Sequence, residues 1–392
     1  MISLASLFIG FYLCIQSCLA LPLSQTFTDD TSSKHVASLL DSKPFYNSSL
    51  GSLQAITAKN IPILKNLSVL RYILAPGSIR EPHWYTNANE LVYCVSGKLL
   101  VWILDTGDVF SQFTIEAGQM FYIEAGSLQA IENVGDEEAE LISSPRHELP
   151  IDISLSASFG AMTDAVLGNT YNETSQTWSA IPRTTAPKFM VKRDGPPKIP
   201  DTAGLPDTHK FDIEAQTPPY DFPFATAKLA RVQFWPALSN IAAYSLYISD
   251  VGMREPHWHP STIEVGYVHK GMARMSIMDP DGSVDTYILK PGDVYYVPVA
   301  YPHQIEDIGD DEIHFLIFFD QPTPQDIGFR TSATALSEEV MGAMLGVGGE
   351  VPNFPFTSED PLLVSRINPV DPIIVNDTQA KPTPSVGPSK EL

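Results

Sequence analysis

The sequence has little cysteine and few basic residues. Its 392 residues include three cysteines, of which Cys14 and Cys18 fall within the first 20 positions. Removal of those positions on export would leave Cys94 alone, which excludes an intrachain disulfide. Lysine and arginine number 24 against 46 acidic residues, so the formal net charge is −22. Such an acidic chain disfavours nucleic acid and anionic membranes as partners, and any anion that it binds needs a local cation.

Charged side chains are missing from residues 1–20, where an apolar run from Leu4 to Leu13 precedes the small residue Ala20. This pattern predicts a secretory signal peptide and an extracellular protein. A membrane anchor is the alternative, but the apolar run is short for a transmembrane span. Secretion and glycosylation are also favoured by four Asn-x-Ser/Thr sequons, which begin at Asn47, Asn66, Asn172 and Asn376.

An internal repeat organises the rest of the chain. His83 and His257 lie 174 positions apart, and Arg80-Glu81-Pro82-His83-Trp84 recurs as Arg254-Glu255-Pro256-His257-Trp258. One ancestral unit was therefore duplicated. Each copy contains short alternating apolar runs broken by turns such as Thr106-Gly107-Asp108, which is typical of an all-β sandwich or barrel. The length allows two domains, and the 44% of hydrophobic residues suffice for a sizeable core.

The second copy contains a candidate metal site. His257 and His259 are one residue apart, so on a strand their side chains point to the same face. Glu264 follows after a short turn, and His303 can arrive from a neighbouring strand. Three imidazoles and one carboxylate suit Mn, Fe, Ni, Cu or Zn. The alternative, a coincidence of surface or core histidines, does not account for the glycines that flank the motif.

These residues resemble the two motifs of the cupin superfamily. The matching residues are Gly252, His257, His259, Glu264 and Gly271, followed by Gly292, Pro298 and His303. The resemblance implies an all-β bicupin, in which two jelly-roll barrels carry short flanking helices.

The domain boundaries follow from the repeat and from composition. We expect a signal peptide (1–20), an N-terminal arm (21–60), barrel 1 (61–176), a proline-rich linker (177–225), barrel 2 (226–346) and a C-terminal tail (347–392). Proline should keep the linker extended along the surface and free of regular ladders. Helical patterns at Thr163 to Leu167 and at Ser337 to Leu345 follow the two barrels, with Ser337 as an N-cap.

The first copy lacks the complete ligand set. Tyr85 and Gln129 stand where the second copy has His259 and His303, although His83 and Glu90 remain. Tyrosine and neutral glutamine are poor substitutes for imidazole, so we predict one metal per chain. The remaining polar residues form either a buried hydrogen-bonded network or a pocket for a small ligand.

Among cupins, the sequence looks closest to the bicupin oxalate decarboxylases and their oxalate-metabolising relatives. In those enzymes the arginine that matches Arg254 binds the carboxylate substrate beside manganese, and a guanidinium suits this role. Its odd spacing from His257 requires a turn or bulge; otherwise it is a surface arginine paired with an acid. Asp326 occupies the loop position of a proton donor, unless it is simply solvated. Ile317 replaces a pocket glutamate of that family, and the first-barrel loop offers only Asp152.

The resemblance implies a secreted enzyme that decarboxylates or oxidises oxalate or a related small carboxylate. Its cofactor would be Mn, or alternatively Fe or another divalent transition metal, with dioxygen as co-reactant. Arg254 and Asp326 would be the catalytic residues, and the protein would form a homo-oligomer. Two other hypotheses remain open. One is a non-enzymatic secreted cupin that binds metal and a small ligand or sugar, and the other is a metal-dependent oxygenase or isomerase of a larger metabolite.

Overall fold

The structure is a computed structural model that describes residues 33–249, 251–347, 350–355 and 363–368. The predicted signal peptide, Cys14, Cys18, Asn376 and most of the tail lie outside the described residues. Within them the chain forms four antiparallel sheets arranged as two barrels, which confirms the all-β prediction. Each barrel packs a seven-stranded sheet against a six-stranded one.

Barrel 1 contains thirteen of the strands. Its seven-stranded sheet runs, in spatial order, through β14 (Lys210–Asp212), β9 (Gln119–Ile123), β6 (Glu90–Ser96), β11 (Ala139–Pro145), β4 (Val69–Leu74), β3 (Gly51–Ile56) and β2 (Tyr46–Ser48). Its six-stranded sheet runs through β12 (Asp152–Ser154), β5 (Ser78–Tyr85), β10 (Leu128–Asn133), β7 (Lys98–Asp105) and β8 (Val109–Glu116), with β13 (Met190–Lys192) also paired to β5.

Barrel 2 repeats this order. Its seven-stranded sheet runs through β1 (Val36–Ser38), β22 (Asp293–Val297), β19 (Glu264–Lys270), β24 (Ile313–Phe319), β17 (Ala242–Ile248), β16 (Ala225–Ala230) and β15 (Tyr220–Phe222). Its six-stranded sheet runs through β21 (Val284–Leu289), β20 (Ala273–Met278), β23 (His303–Asp307), β18 (Gly252–Trp258) and β25 (Ile327–Gly328), with β26 (Leu363–Ser365) also paired to β18.

The two seven-stranded sheets are buried on both faces. In β6, Val92 and Cys94 point into the core of barrel 1, whereas Leu91 and Tyr93 point into a third apolar cluster. That cluster also contains Val265 and residues of the matching sheet of barrel 2. Strands covered on both sides read as continuous hydrophobic runs rather than as alternating ones. The barrels therefore pack against each other through these sheets.

The first strand of each repeat pairs with a sheet of the other barrel. β1 belongs to the first repeat but pairs with β22 in barrel 2. Its counterpart β14, 174 positions later, pairs with β9 in barrel 1. This reciprocal exchange ties the barrels together through main-chain hydrogen bonds.

The proline-rich segment is more ordered than its composition suggests. It contributes β13, β14 and β15, each three residues long, to sheet edges. The expectation that proline excludes regular ladders from the segment is therefore wrong, because the prolines fall between these short strands and leave their N–H groups free to pair.

Short helices follow each barrel, as predicted. They are α1 (Leu155–Ala161), α2 (Asp164–Tyr171) and a 3-10 turn (Ser175–Trp178) after barrel 1, and α3 (Phe329–Thr334) and α4 (Glu338–Leu345) after barrel 2. Thr163 and Ser337 cap α2 and α4 by accepting main-chain N–H bonds. None of the helices in the described part of the chain is long and apolar enough to cross a membrane.

Candidate metal centre

The four predicted ligands meet inside barrel 2. His257 lies on β18 and His259 just after it, Glu264 begins β19, and His303 begins β23. β18 and β23 are paired so that His257 stands opposite His303. All four side chains are buried, and one potential ligand atom from each lies within 4.8 Å of every other. The sequence prediction of which residues converge is thus matched by their geometry.

Main-chain carbonyls orient the three imidazoles. The Nδ1 atoms of His257, His259 and His303 lie 2.8, 3.0 and 3.0 Å from the carbonyl oxygens of Glu255, Gln325 and Tyr301. A carbonyl only accepts, so each Nδ1 must donate, and in a neutral ring each Nε2 then carries a lone pair. Such contacts behind the ligating nitrogen are typical of histidine metal ligands.

Glu264 faces these lone pairs as a second set of acceptors. Its Oε2 lies 2.8 Å from Nε2 of His259 and 3.4 Å from Nε2 of His303. The Nε2 atom of His303 has no hydrogen-bond partner in the described structure. The Tyr295 hydroxyl donates to Oε1 at 2.6 Å and holds the carboxylate in place. Acceptors that converge in a dry site need a cation between them.

The electrostatics of the site also favour metal binding. Burial lowers the pKa of His257 well below its usual value, and nearby Arg254 lowers it further. Burial likewise lowers the pKa of His259. Burial alone would raise the pKa of Glu264. The neighbouring His303 and His259 lower it by more, so the pKa of Glu264 lies below the ordinary range. Neutral imidazoles and an ionised carboxylate are the forms that ligate a divalent transition metal.

Arg254 enters the same interior through a β-bulge. The pairing register of β18 with β23 shifts between Arg254 and His257, which turns the arginine to the face of the histidines despite the odd spacing. Its guanidinium forms an ion pair with the carboxylate of Asp326, and both side chains are about 95% buried. The expectation of a solvated loop acid is therefore wrong for Asp326. The alternative of a surface arginine paired with an acid is wrong about the surface, because Arg254 is buried, but the pairing with an acid is present.

The loop that carries Asp326 is attached to the centre. The carbonyl of Gln325 is the acceptor that orients His259. The sequence placed Asp326 near the site but gave no sign that its neighbour supports a ligand. A second undetected residue is Tyr295, whose counterpart in the first repeat is Phe121. That difference between the repeats was the available signal.

The equivalent position in barrel 1 is filled by a hydrogen-bonded network. Glu90 accepts hydrogen bonds from Tyr72 at 2.7 Å, from Gln129 at 2.6 Å and from Ser143. Burial raises the pKa of Glu90 in spite of these donors, and burial together with Arg80 lowers the pKa of His83 to about 3. Three donors therefore occupy most of the roughly four lone-pair sites of this carboxyl group, which makes it a poor metal ligand as it stands.

An arginine–aspartate pair is common to both barrels. Arg80 lies 2.5 Å from Asp152, which is the repeat counterpart of the Arg254–Asp326 pair. Applying the 174-residue offset to Asp326 would have identified this partner from sequence. The pair is thus inherited from the ancestral unit, and the two barrels differ mainly in the ligands around it.

Comparison with known families identifies two matching regions. The Cupin family profile matches residues 37–178 and 215–353, so each repeat contains one match. These regions include both the complete ligand set of barrel 2 and its modified counterpart in barrel 1.

Individual relatives resemble one or both repeats. Oxalate decarboxylase OxdC of Bacillus subtilis is 27% identical over 76% of this chain and 78% of its own length. Germin-like protein subfamily 2 member 2 of Arabidopsis thaliana is 33% identical over 39% of this chain and 71% of its own. A solved structure of the Bacillus subtilis oxalate decarboxylase at pH 4.6 superposes with a TM-score of 0.76 at 24% identity, covering 88% of this chain and 90% of that one. The structural likeness shows the fold.

Proposed function

Because the chain belongs to the cupin family, we propose that it decarboxylates oxalate or a related small dicarboxylate at one metal centre in barrel 2. The observation that carries this proposal is the buried arginine beside a complete ligand set. Arg254 shares the interior of β18 with His257 and lies close enough to lower the pKa of that histidine. A fixed cation next to a metal site suits a substrate with two carboxylates.

The proposed metal is Mn, with Fe as the nearest alternative, and His257, His259, Glu264 and His303 would hold it. When bound, such a metal supplies a Lewis acid and a one-electron redox partner for the substrate and for dioxygen. Four protein ligands leave open positions in an octahedral shell. The fold supports this reading because every ligand is positioned by a contact behind it, from a backbone carbonyl or from Tyr295.

Arg254 would anchor the carboxylate that is not lost. Its planar fork of donors can hold a carboxylate through two hydrogen bonds, and one of its nitrogens already forms an ion pair with Asp326. A substrate carboxylate that takes both donors of the fork would displace Asp326 from the guanidinium. Once displaced, Asp326 lies next to the reacting group in a buried pocket and can take up a proton.

The position of Asp326 beside Arg254 favours decarboxylation over oxidation. Decarboxylation breaks the C–C bond, releases carbon dioxide and needs a proton at the carbon that becomes formate. Oxidation instead transfers two electrons to dioxygen and yields two carbon dioxide molecules and hydrogen peroxide. A buried acid beside the substrate anchor provides the proton, so we assign Asp326 as the general acid.

The experiment is a product assay. Metal-loaded protein is incubated with oxalate across a range of acidic pH, and carbon dioxide, formate and hydrogen peroxide are quantified. We expect carbon dioxide and formate in equal amounts. Hydrogen peroxide with no formate would identify an oxidase, and no product at all would remove oxalate as the substrate.

A second candidate function is metal-dependent binding without turnover. The Arg254–Asp326 pair favours it, because an arginine already satisfied by an internal carboxylate can serve as a structural element. The same protein would then bind a small ligand at the metal centre and release it unchanged. Oxalate binding by calorimetry without product formation would support this candidate.

We also propose that the protein is exported and glycosylated. The support is the N-terminal sequence pattern and the exposure of Asn47 and Asn172. Asn66 is a poorer acceptor in the folded chain, since its amide donates to Asp320 at 2.8 Å. N-terminal sequencing and intact mass of the mature protein, before and after glycosidase treatment, test both points.

A further inference from the structure

A second group of potential metal ligands lies where the N-terminal strand joins barrel 2. His35 directly precedes β1, Asp279 follows β20, and Asp285 lies on β21. One potential ligand atom from each lies within 4.8 Å of the other two. His35 is fully buried, and Asp279 is 2% exposed. The rings of Tyr287 and Tyr301 pack edge-on against the imidazole, whereas Asp285 is half-buried.

One nitrogen of the His35 imidazole lacks a hydrogen-bond partner within the described part of the chain. Its Nδ1 lies 2.9 Å from the carbonyl oxygen of Tyr296 and must donate to it. Its Nε2 is buried, has no hydrogen-bond partner among the described residues, and lies 3.5 Å from Oδ2 of Asp279. Two acceptors facing each other in a dry site repel unless a cation lies between them.

The repeat supplies an internal comparison. At the 174-residue offset, His209, Asp105 and Tyr122 match His35, Asp279 and Tyr296. Nε2 of His209 lies 2.8 Å from Asp105, which is an ordinary hydrogen-bond distance, and both side chains are partly exposed.

The copy in barrel 2 differs in the ways that a metal site requires. The nitrogen–oxygen separation there is longer, at 3.5 Å, and the pair is almost completely buried. A third ligand is also present, because Asp285 replaces Ser111 of the first repeat. The change from serine to aspartate adds a carboxylate with an oxygen within 4.8 Å of a potential ligand atom on each of His35 and Asp279.

We propose that His35, Asp279 and Asp285 form a second divalent-cation site, which fastens the N-terminal strand to barrel 2. One imidazole and two carboxylates are borderline-to-hard ligands that suit Zn²⁺ and similar ions. The site is separate from the His257 centre and uses none of its ligands. It would raise the capacity of the chain from one divalent cation to two.

Lys34 competes with a cation for the same carboxylates. Its ammonium lies 2.7 Å from Oδ1 of Asp279 but is 42% exposed, so the side chain can move into solvent. Asp281 and Asp285 also attract it. Three carboxylates near one lysine leave a net negative charge, which a divalent ion can neutralise.

The test isolates this site from the barrel centre. The background is the full chain with His259→Ala and His303→Ala, stripped with chelator and titrated with Zn²⁺ by calorimetry. We expect about one Zn²⁺ per chain and a higher melting temperature with Zn²⁺, since an ion that binds only the folded state stabilises it. Adding Asp285→Ser, which reproduces the first repeat, should weaken binding at least tenfold, because one of three ligands is lost.

Three further variants sharpen the result. His35→Gln should abolish binding, Lys34→Met should strengthen it, and His209→Gln should leave it unchanged. Circular dichroism establishes that each variant is folded, and Asp285→Ser serves as the test if His35→Gln is not. No Zn²⁺ uptake by the background protein, or equal uptake after Asp285→Ser, would show that these three residues do not bind a cation and would overturn the proposal.

Discussion

At the scale of single residues, Arg254 and Asp326 separate an oxalate enzyme from a cupin that merely holds metal. The two side chains form a buried ion pair beside the ligand set. Neither contributes to that set, so changing either should affect substrate handling more than metal content. Their counterparts Arg80 and Asp152 form the same pair in barrel 1 and provide matched controls.

Arg254→Lys should keep the metal and lose turnover. Lysine retains the charge but cannot present a planar two-donor fork, so the substrate loses its orientation. A charge-assisted hydrogen bond contributes roughly 1.5–3 kcal/mol, which predicts about a ten- to hundredfold loss in oxalate affinity or kcat/KM. Steady-state kinetics and elemental analysis measure the two effects. Arg80→Lys should change neither, and unaltered turnover in Arg254→Lys would refute the role assigned to the guanidinium.

Asp326→Asn should slow formate production while oxalate still binds. Asparagine is similar in size but cannot deliver the proton, and general acids typically contribute about 100-fold or more. We therefore expect kcat for formate to fall by about that factor. The same change at Asp152 should have no such effect. A wild-type formate rate in Asp326→Asn would leave Asp326 as a counter-ion of Arg254 and nothing more.

Strand periodicity accounts for only part of the site predicted from sequence, since Arg254 and Asp326 were named from the family resemblance. His257 and His259 share a face because side chains alternate along a strand. Arg254 breaks that rule, and only the register shift in β18 brings it inside. The burial of Asp326 depends on how its loop folds back over the barrel, which no local pattern encodes. Contacts between residues distant in sequence, such as this one, cannot be predicted from local sequence patterns.

At the scale of secondary-structure elements, the equivalent strands β5 and β18 have the same pairing but carry different sites, a hydrogen-bonded network in barrel 1 and a candidate metal site in barrel 2. In both, a histidine faces a partner across the same antiparallel pair: Gln129 opposite His83, and His303 opposite His257. The backbone is conserved between the repeats while the ligands are not. Metal binding should therefore follow the side chains.

His259→Ala should remove the metal of the barrel centre, whereas Tyr85→Ala should leave it in place. Loss of one of four ligands opens the shell and weakens binding by orders of magnitude. Elemental analysis after dialysis against a weak chelator compares the two variants. Equal retention by both would invalidate the ligand assignment.

The reverse change should add metal to barrel 1. Tyr85→His with Gln129→His restores three imidazoles around Glu90, and removal of Gln129 also frees Oε2 of that carboxylate. We expect about one more divalent ion per chain than in the parent protein. An unchanged metal content would mean that the remaining donors, Tyr72 and Ser143, still prevent Glu90 from acting as a ligand.

The elements themselves were only partly predictable. The N-cap at Ser337 was predicted and begins α4, whereas the helical pattern predicted from Thr163 corresponds to α2, with Thr163 as its cap. Strands β13 to β15 were missed, because three-residue edge strands carry almost no periodic signal. They form where an existing sheet edge offers hydrogen bonds, which is a tertiary effect.

At the scale of the whole molecule, the barrels are joined by exchanged strands and by a contact region that includes His314, whose ring meets Tyr93 of barrel 1 edge-on at 6.4 Å. His314 lies on β24, where its Nε2 contacts the Ser245 hydroxyl at 2.8 Å and its ring stacks on Tyr247 at 4.0 Å. Burial lowers the pKa of His314 to about 3, although Glu214 opposes the shift. The imidazole is therefore neutral in the folded protein at mildly acidic pH.

His314→Gln should make stability less sensitive to acid. Unfolded histidine has a pKa of about 6.5, so between roughly pH 6 and 4 the unfolded chain binds a proton that the folded chain does not. Stability contributed by the neutral ring is complete above that window and declines by about 1.4 kcal/mol per pH unit as pH falls through it. Urea unfolding of wild type and variant at several pH values measures the difference. Identical pH slopes would contradict the neutral, buried state assigned to His314.

Formate release by a matched pair of variants tests whether oxalate is decarboxylated in barrel 2 alone, as we propose. His303→Ala removes a ligand from the complete set, and Gln129→Ala changes the residue at the same position of the first repeat. Both proteins and the wild type are loaded with Mn²⁺, given oxalate at acidic pH and assayed for formate. We expect formate from wild type and Gln129→Ala at comparable rates and essentially none from His303→Ala. Formate production that survives His303→Ala but is lost in Gln129→Ala would place the chemistry in barrel 1 and refute a site in barrel 2.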